Sequence, residues 1–102
     1  MSFRFDPHAE QELLEAVSYY ENVEPGLGYD FSLEVYSAVQ RALTYPKAWP
    51  VLDGDVRRAL VRRFPYGVLY SEEAGDLLII AVMLTLGWIE LIVPFFVFYS
   101  IF

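Results

Sequence analysis

Residues 56–83 read VRRALVRRFPYGVLYSEEAGDLLIIAVM, and this stretch decides the fold. Pro65-Tyr66-Gly67 and Glu73-Ala74-Gly75-Asp76 carry turn chemistry, because Pro and Gly supply the dihedral angles that reverse a chain. They divide the stretch into three runs of strand length. Val56–Arg63 mixes apolar residues with two arginine pairs, and Val68-Leu69-Tyr70 resumes the strand pattern. Leu77–Met83 is apolar throughout, as expected of a buried central strand.

Upstream, Tyr45–Asp55 holds Pro46, Pro50 and Gly54, and is expected to be a loop with Trp49 packed onto the core. Before it, Phe31, Val35, Ala38, Val39 and Ala42 recur at helical spacing from about Tyr29 and stop short of Pro46. The run Glu24-Pro25-Gly26-Leu27-Gly28 breaks this helix from an earlier one. The earlier helix starts at Asp6-Pro7, where Asp caps free N–H groups and Pro lacks the N–H that the first turn cannot use. Its apolar stripe is Ala9, Leu13, Ala16, Val17 and Tyr20, with Glu10, Glu12, Glu15 and Glu21 mostly elsewhere. Ser2–Phe5 alternates Phe3 and Phe5 with polar neighbours, which suits a short strand. The order predicts an α+β fold: an N-terminal strand, then an antiparallel helical hairpin packed on one face of a small, mainly antiparallel sheet.

A chain of 102 residues supports one core. It has no Cys, and His8 is its single His. Disulfides, thiolate metal sites, multi-His metal sites and His-based triads are therefore excluded, and no metal or cofactor is expected. The start MSFRFDPHAE has no cationic leader followed by an apolar run, so a cytoplasmic protein is expected. The net charge of −7 argues against general nucleic-acid binding. Its distribution is uneven. Arg41, Lys47, Arg57, Arg58, Arg62 and Arg63 face only Asp53 and Asp55 within residues 41–63, a local balance of +4 against −11 for the remainder. Such a patch reads as a local binding surface.

Strand alternation through residues 56–64 puts Arg57, Ala59, Val61 and Arg63 on one face and Arg58, Leu60, Arg62 and Phe64 on the other. Arginine is rarely buried without a partner, so part of this sheet faces water or an anion. Guanidinium forks suit phosphates and carboxylates alike. An RNA backbone or an acidic protein segment would satisfy Arg57, Arg58, Arg62 and Arg63, and so would pairing with Asp53, Asp55 or the helix glutamates.

Residues 3–83 resemble the RelE/ParE toxin superfamily of type II toxin–antitoxin systems, particularly its plasmid-stabilisation members. The resemblance rests on FDPHAEQELLEAVSYYE, PGLGYDFSLEV, YPKAWPVLDGDVRRALVRRFPYGVLY and DLLIIAVM, in that order. It implies the same small α+β fold, a bacterial growth-inhibiting toxin and a cognate antitoxin partner. Its chemistry is divided. RelE-like members cleave messenger RNA in the ribosome without metal, whereas ParE-like members are not nucleases and poison DNA gyrase. Arg62 matches the arginine that RelE-like enzymes place on this strand, which makes it the candidate catalytic residue if the chain is an enzyme. PGLG and RRFPYGVLY lean towards the ParE-like side, with the gyrase inhibitor and the endoribonuclease both open.

The match ends at residue 83. The segment 84–102, LTLGWIELIVPFFVFYSIF, contains no Lys, Arg or His, so none of the family's C-terminal functional positions carries over. A frameshift-derived ending on a toxin domain of residues 1–83 fits the abrupt change, and leaves the toxin inactivated. A tail anchor is opposed by Glu90, by the absence of flanking basic residues and by the need for Leu77–Met83 in the core. A third reading, an extra element completing the core or a dimer interface, must accommodate Pro94. Phe95, Phe96, Phe98 and Phe102 exceed what so small a core can bury, and favour association.

Overall fold

Asp6 and Pro7 set the first helix as their chemistry requires. In the structure, a computed structural model describing residues 1–85, the Asp6 carboxylate accepts from the His8 N–H at 3.0 Å and Pro7 takes the first turn. The readings of the tail as a frameshift-derived ending, a tail anchor or an extra element concern residues beyond Thr85, outside the described residues. A short strand β1 (Phe3–Phe5) leads into helix α1 (Pro7–Val23), which buries Ala9, Leu13 and Ala16. Helix α2 (Leu27–Thr44) buries Phe31, Val35, Ala38, Val39 and Ala42, the residues whose spacing marked it.

Helix α2 begins at Leu27, earlier than the apolar periodicity indicates. The cause is a cap supplied by its neighbour. The Glu21 carboxylate, on α1, accepts from the Gly26 N–H at 2.9 Å and the Gly28 N–H at 3.1 Å. These are first-turn donors with no partner inside their own helix. Gly28 also lets the helices approach: a Cβ there would stand 2.5 Å from the Val17 carbonyl oxygen, closer than any side chain tolerates.

The remaining elements are β2 (Val51–Asp53), β3 (Val56–Leu60), β4 (Tyr66–Glu73) and β5 (Asp76–Leu84). They form a five-stranded sheet in the order β1-β5-β4-β3-β2, antiparallel except for the β1–β5 pair. The fold is α+β, with the helical hairpin on one face of the sheet. Strand β5 lies between β1 and β4, so the long apolar run is an interior strand. Leu69 pairs with Ala81 and Tyr70 with Ile79, which leaves Ile80 unmatched in a bulge. The bulge reverses the facing of the strand, so burial passes from Leu77 and Ile79 to Val82.

Two expectations are corrected. The segment expected to be an unstructured loop contains β2, which pairs with β3 through Val51–Arg57 and Asp53–Val56. All of β2 is exposed, so no buried face left a period-two pattern to read. The arginine strand stops at Leu60 instead of running to Arg63. Val61 and Phe64 are both buried, which no continuous alternation allows. Arg63 takes φ 72°, the Tyr66 N–H bonds the Phe64 carbonyl at 2.8 Å, and the chain reverses over residues 62–65. The reversal comes ahead of the expected Pro65-Tyr66-Gly67 turn, and Tyr66 already belongs to β4. Trp49 packs against the core as expected.

Under the hairpin, Tyr20 and Phe31 pack edge to face on Phe64 and Tyr66 and lie tilted on each other, with Tyr20–Phe64 ring centres 4.9 Å apart and Phe31–Tyr66 4.8 Å apart. This cluster fixes the bend after β3 against both helices. Among the described residues no helix is long and apolar enough to cross a membrane.

Candidate functional site

The bend after β3 divides the four candidate arginines into different environments. Arg57 lies on the helix-facing side of β3, half-buried, opposite Tyr70. Its Nη1 donates to the carbonyls of Lys47, at 3.3 Å, and Trp49. The Tyr70 hydroxyl donates to the Pro46 carbonyl at 2.7 Å. Arg57 and Tyr70 together pin the segment that carries Trp49. Burial raises the Tyr70 phenol above its usual range, partly opposed by the Arg57 charge, with a smaller raising contribution from Glu72.

Arg58 points to the opposite face of the sheet. Its aliphatic stem crosses the neighbouring strand at Gly67, where a Cβ would come within 2.9 Å of its Cγ and Cδ. The missing side chain on β4 is what lets the Arg58 stem lie flat. Burial depresses its guanidinium below the usual arginine range.

Arg62 and Arg63 sit in the bend, both exposed. Arg63 turns back onto α2, with Nη2 3.6 Å from Asp30 and Nη1 3.9 Å from Glu34. Its guanidinium lies 5.5 Å from the centre of the Phe64 ring. Arg62 points elsewhere and forms no ion pair among the described residues. Its charge is felt by Arg41, in the last turn of α2. Arg41 Nη2 donates to the Leu60 carbonyl at 3.0 Å, just where β3 ends. Burial lowers the Arg41 guanidinium first, the Arg62 charge lowers it further, and Glu34 opposes both.

The structure therefore brings Arg41, Arg62 and Arg63 together at the junction of α2 and the bend. It does not bring Arg57 or Arg58 into that group, since one is tied to the Trp49 segment and the other lies across the sheet. Arg41 joins the site from α2, and its count within the basic stretch 41–63 was the only trace of this in the sequence. Its bond to Leu60 spans 19 residues, beyond any local periodicity.

His8 is not part of the group. It is exposed at the start of α1, beside β1, while the arginines follow β3. The sheet order puts β5 and β4 between them, or three strand spacings of about 4.8 Å. Among the described residues no cluster of three or more His, Cys, Asp or Glu side chains is placed to hold a metal ion. The arrangement suits electrostatic binding of an anion.

No protein-family model matches the chain, and no curated protein matches it. A solved structure does. A chain of the "Chromosomal ParDE TA system from P. aeruginosa" superposes with a TM-score of 0.73 at 15% identity, covering 83% of this chain and 96% of that one. At that identity the likeness establishes the fold.

Proposed function

We propose that the chain is the toxin-type subunit of a type II toxin–antitoxin pair and binds an acidic segment of its antitoxin through the arginines around β3. The carrying observation is the shared architecture with a chain of a ParDE system over most of both lengths. Fold alone does not fix function, so this chain's own chemistry must supply the rest. It does so through an exposed guanidinium cluster on a protein of net charge −7, which favours a local acidic partner over a long polyanion.

The chain acts by binding rather than by cleavage. An endoribonuclease needs groups that take and return a proton beside the phosphate. The single His stands across the sheet from Arg62, and segment 84–102 supplies no Lys, Arg or His. The frameshift reading of that segment makes the chain a toxin scaffold that has lost its working end while keeping its antitoxin surface.

Co-expression with the protein of the adjacent gene tests the reading. The expected result is a co-purifying complex, and unchanged growth and intact messenger RNA when the chain is made alone. Absence of any complex would remove the toxin–antitoxin assignment. Growth arrest with RNA cleavage would instead show that residues 1–83 suffice for an active endoribonuclease, and arrest with DNA damage would point to gyrase.

A further inference from the structure

We propose that residues 86–102 fold back over the face of the sheet turned away from the helices and cover it, as a strap attached at the end of β5. This goes beyond the partner reading and does not depend on it.

The strand register defines that face. Residues paired across neighbouring strands point to the same side of a sheet. Phe5, Ile79, Tyr70 and Arg57 form one row, and Ile79 and Tyr70 lie buried under the helices. The alternate rows point the other way. They are Arg4–Leu78–Ser71, Ala81–Leu69–Arg58 and Met83–Gly67–Leu60. A face left to water carries polar residues at such positions. This one carries Leu78, Ala81, Met83, Leu69 and Leu60. Its charged members are Arg4, paired with Glu73 at 3.2 Å at the end of the sheet, and Arg58, whose stem lies flat over Gly67. Leu60 is 38% exposed, whereas Ser71 is only 8% exposed on a side that neither helix occupies. A contiguous apolar face of this kind marks a surface that something covers.

The chain itself supplies the cover. Strand β5 ends at Leu84, one residue past Met83 of the outermost row, and 17 residues follow Thr85. Extended, they would span about 56 Å, while the five strands measure about 19 Å across. The segment LGWIELIVPFFVFYSIF is apolar apart from Glu90 and Ser100, and Glu90 is opposite in sign to Arg58. Tethering at the margin of the face gives this segment a higher effective concentration there than a second copy of the chain has. Leu84 also lines a groove on the helix side, with Glu12, Glu15, Tyr19 and Tyr66. That groove is the poorer seat. Glu12 is committed to the Val82 N–H at 3.0 Å, and an apolar segment laid there would strip water from the Glu15 carboxylate.

The test uses the full chain, which has no native Cys. Two double variants are compared: Leu60→Cys with Ser100→Cys for the open face, and Tyr19→Cys with Ser100→Cys for the groove. Each is oxidised in dilute solution and its disulfide followed by mass and by non-reducing electrophoresis. The Leu60 pair should close within the monomer, at a rate independent of protein concentration and at least about tenfold faster than the Tyr19 pair. Equal rates would show a segment that does not settle on the face, and a faster Tyr19 pair would put it in the groove. Disulfides that form only between chains would make a second copy the cover. Each of these results overturns the strap. The unsubstituted chain gives a second measurement. Leu69 methyl groups should show nuclear Overhauser contacts to ring protons of residues 86–102 within one molecule, and their absence would overturn the strap equally. None of these readouts involves the antitoxin, so the strap and the partner reading stand or fall separately.

Discussion

Arg63 holds a left-handed backbone, φ 72°, which costs a residue with a Cβ about 1 to 2 kcal/mol. Its ion pairs to Asp30 and Glu34 are exposed and long, and contribute about 0 to 1 kcal/mol. The two effects are of similar size, so Arg63→Gly should leave the stability within about 1 kcal/mol of the parent in urea denaturation. Arg63→Val loses the pairs and adds a branched Cβ at positive φ, and should cost about 1 to 3 kcal/mol. Equal losses for Gly and Val would show that the bend is not held in the left-handed form. Tyr66 gives a second residue-scale test. Burial, with the neighbouring Tyr20 and Tyr19 phenols, pushes its pKa up to about 12 from an ordinary value near 10. The neutral phenol is the form the fold favours. Its contribution is therefore complete below pH about 10 and is lost as pH rises towards about 12. Melting curves across that window should fall less steeply for Tyr66→Phe than for the parent, once the lower starting stability is allowed for.

Helix α2 starts where a glutamate of α1 and a glycine allow it, which makes the hairpin junction the most exacting contact between elements. Gly28→Ala would drive a methyl group to 2.5 Å from the Val17 carbonyl oxygen and should destabilise the chain by about 1 to 3 kcal/mol. A melting temperature unchanged by this substitution would show that the helices separate more easily than their packing indicates. The helices were legible because each buries a stripe at a 3.6-residue period and begins or ends with Pro or Gly. Strand β5 was legible from its unbroken apolar run, but its bulge at Ile80 was not, since an all-apolar strand carries no alternation to interrupt. Strand β2 left no signal because it buries nothing. The end of β3 was misplaced because the sequence repeats its arginine pairs through the bend, while the reversal depends on Phe64 reaching the aromatic cluster. Truncation checks the role of β5. Leu84 pairs with Tyr66 and the Thr85 N–H bonds the Pro65 carbonyl at 2.7 Å. A chain ending at Thr85 should melt cooperatively, while one ending at Asp76 loses Leu77, Ile79 and Val82 and should not fold.

Across the whole molecule the basic stretch separates into distinct environments that charge counting could not distinguish. Arg57 ties down the Trp49 segment, Arg63 closes the bend onto α2, Arg41 bonds the Leu60 carbonyl where β3 ends, and Arg62 is exposed. Arg58 crosses the sheet on the other face, over Gly67. The +4 balance of residues 41–63 was visible in the sequence, but the grouping of Arg41 with Arg62 needed the tertiary fold. Association with an acidic partner through this surface should be strong at low salt and weaken as salt screens the exposed charges. Calorimetric titration of the chain with the protein of the adjacent gene, at low and high salt, measures this for the parent and for the Arg58→Ala, Arg62→Ala double variant. Binding that is salt-sensitive in the parent and weakened at least about tenfold in the variant at low salt is the expected result. The same low-salt affinity for parent and variant would contradict it.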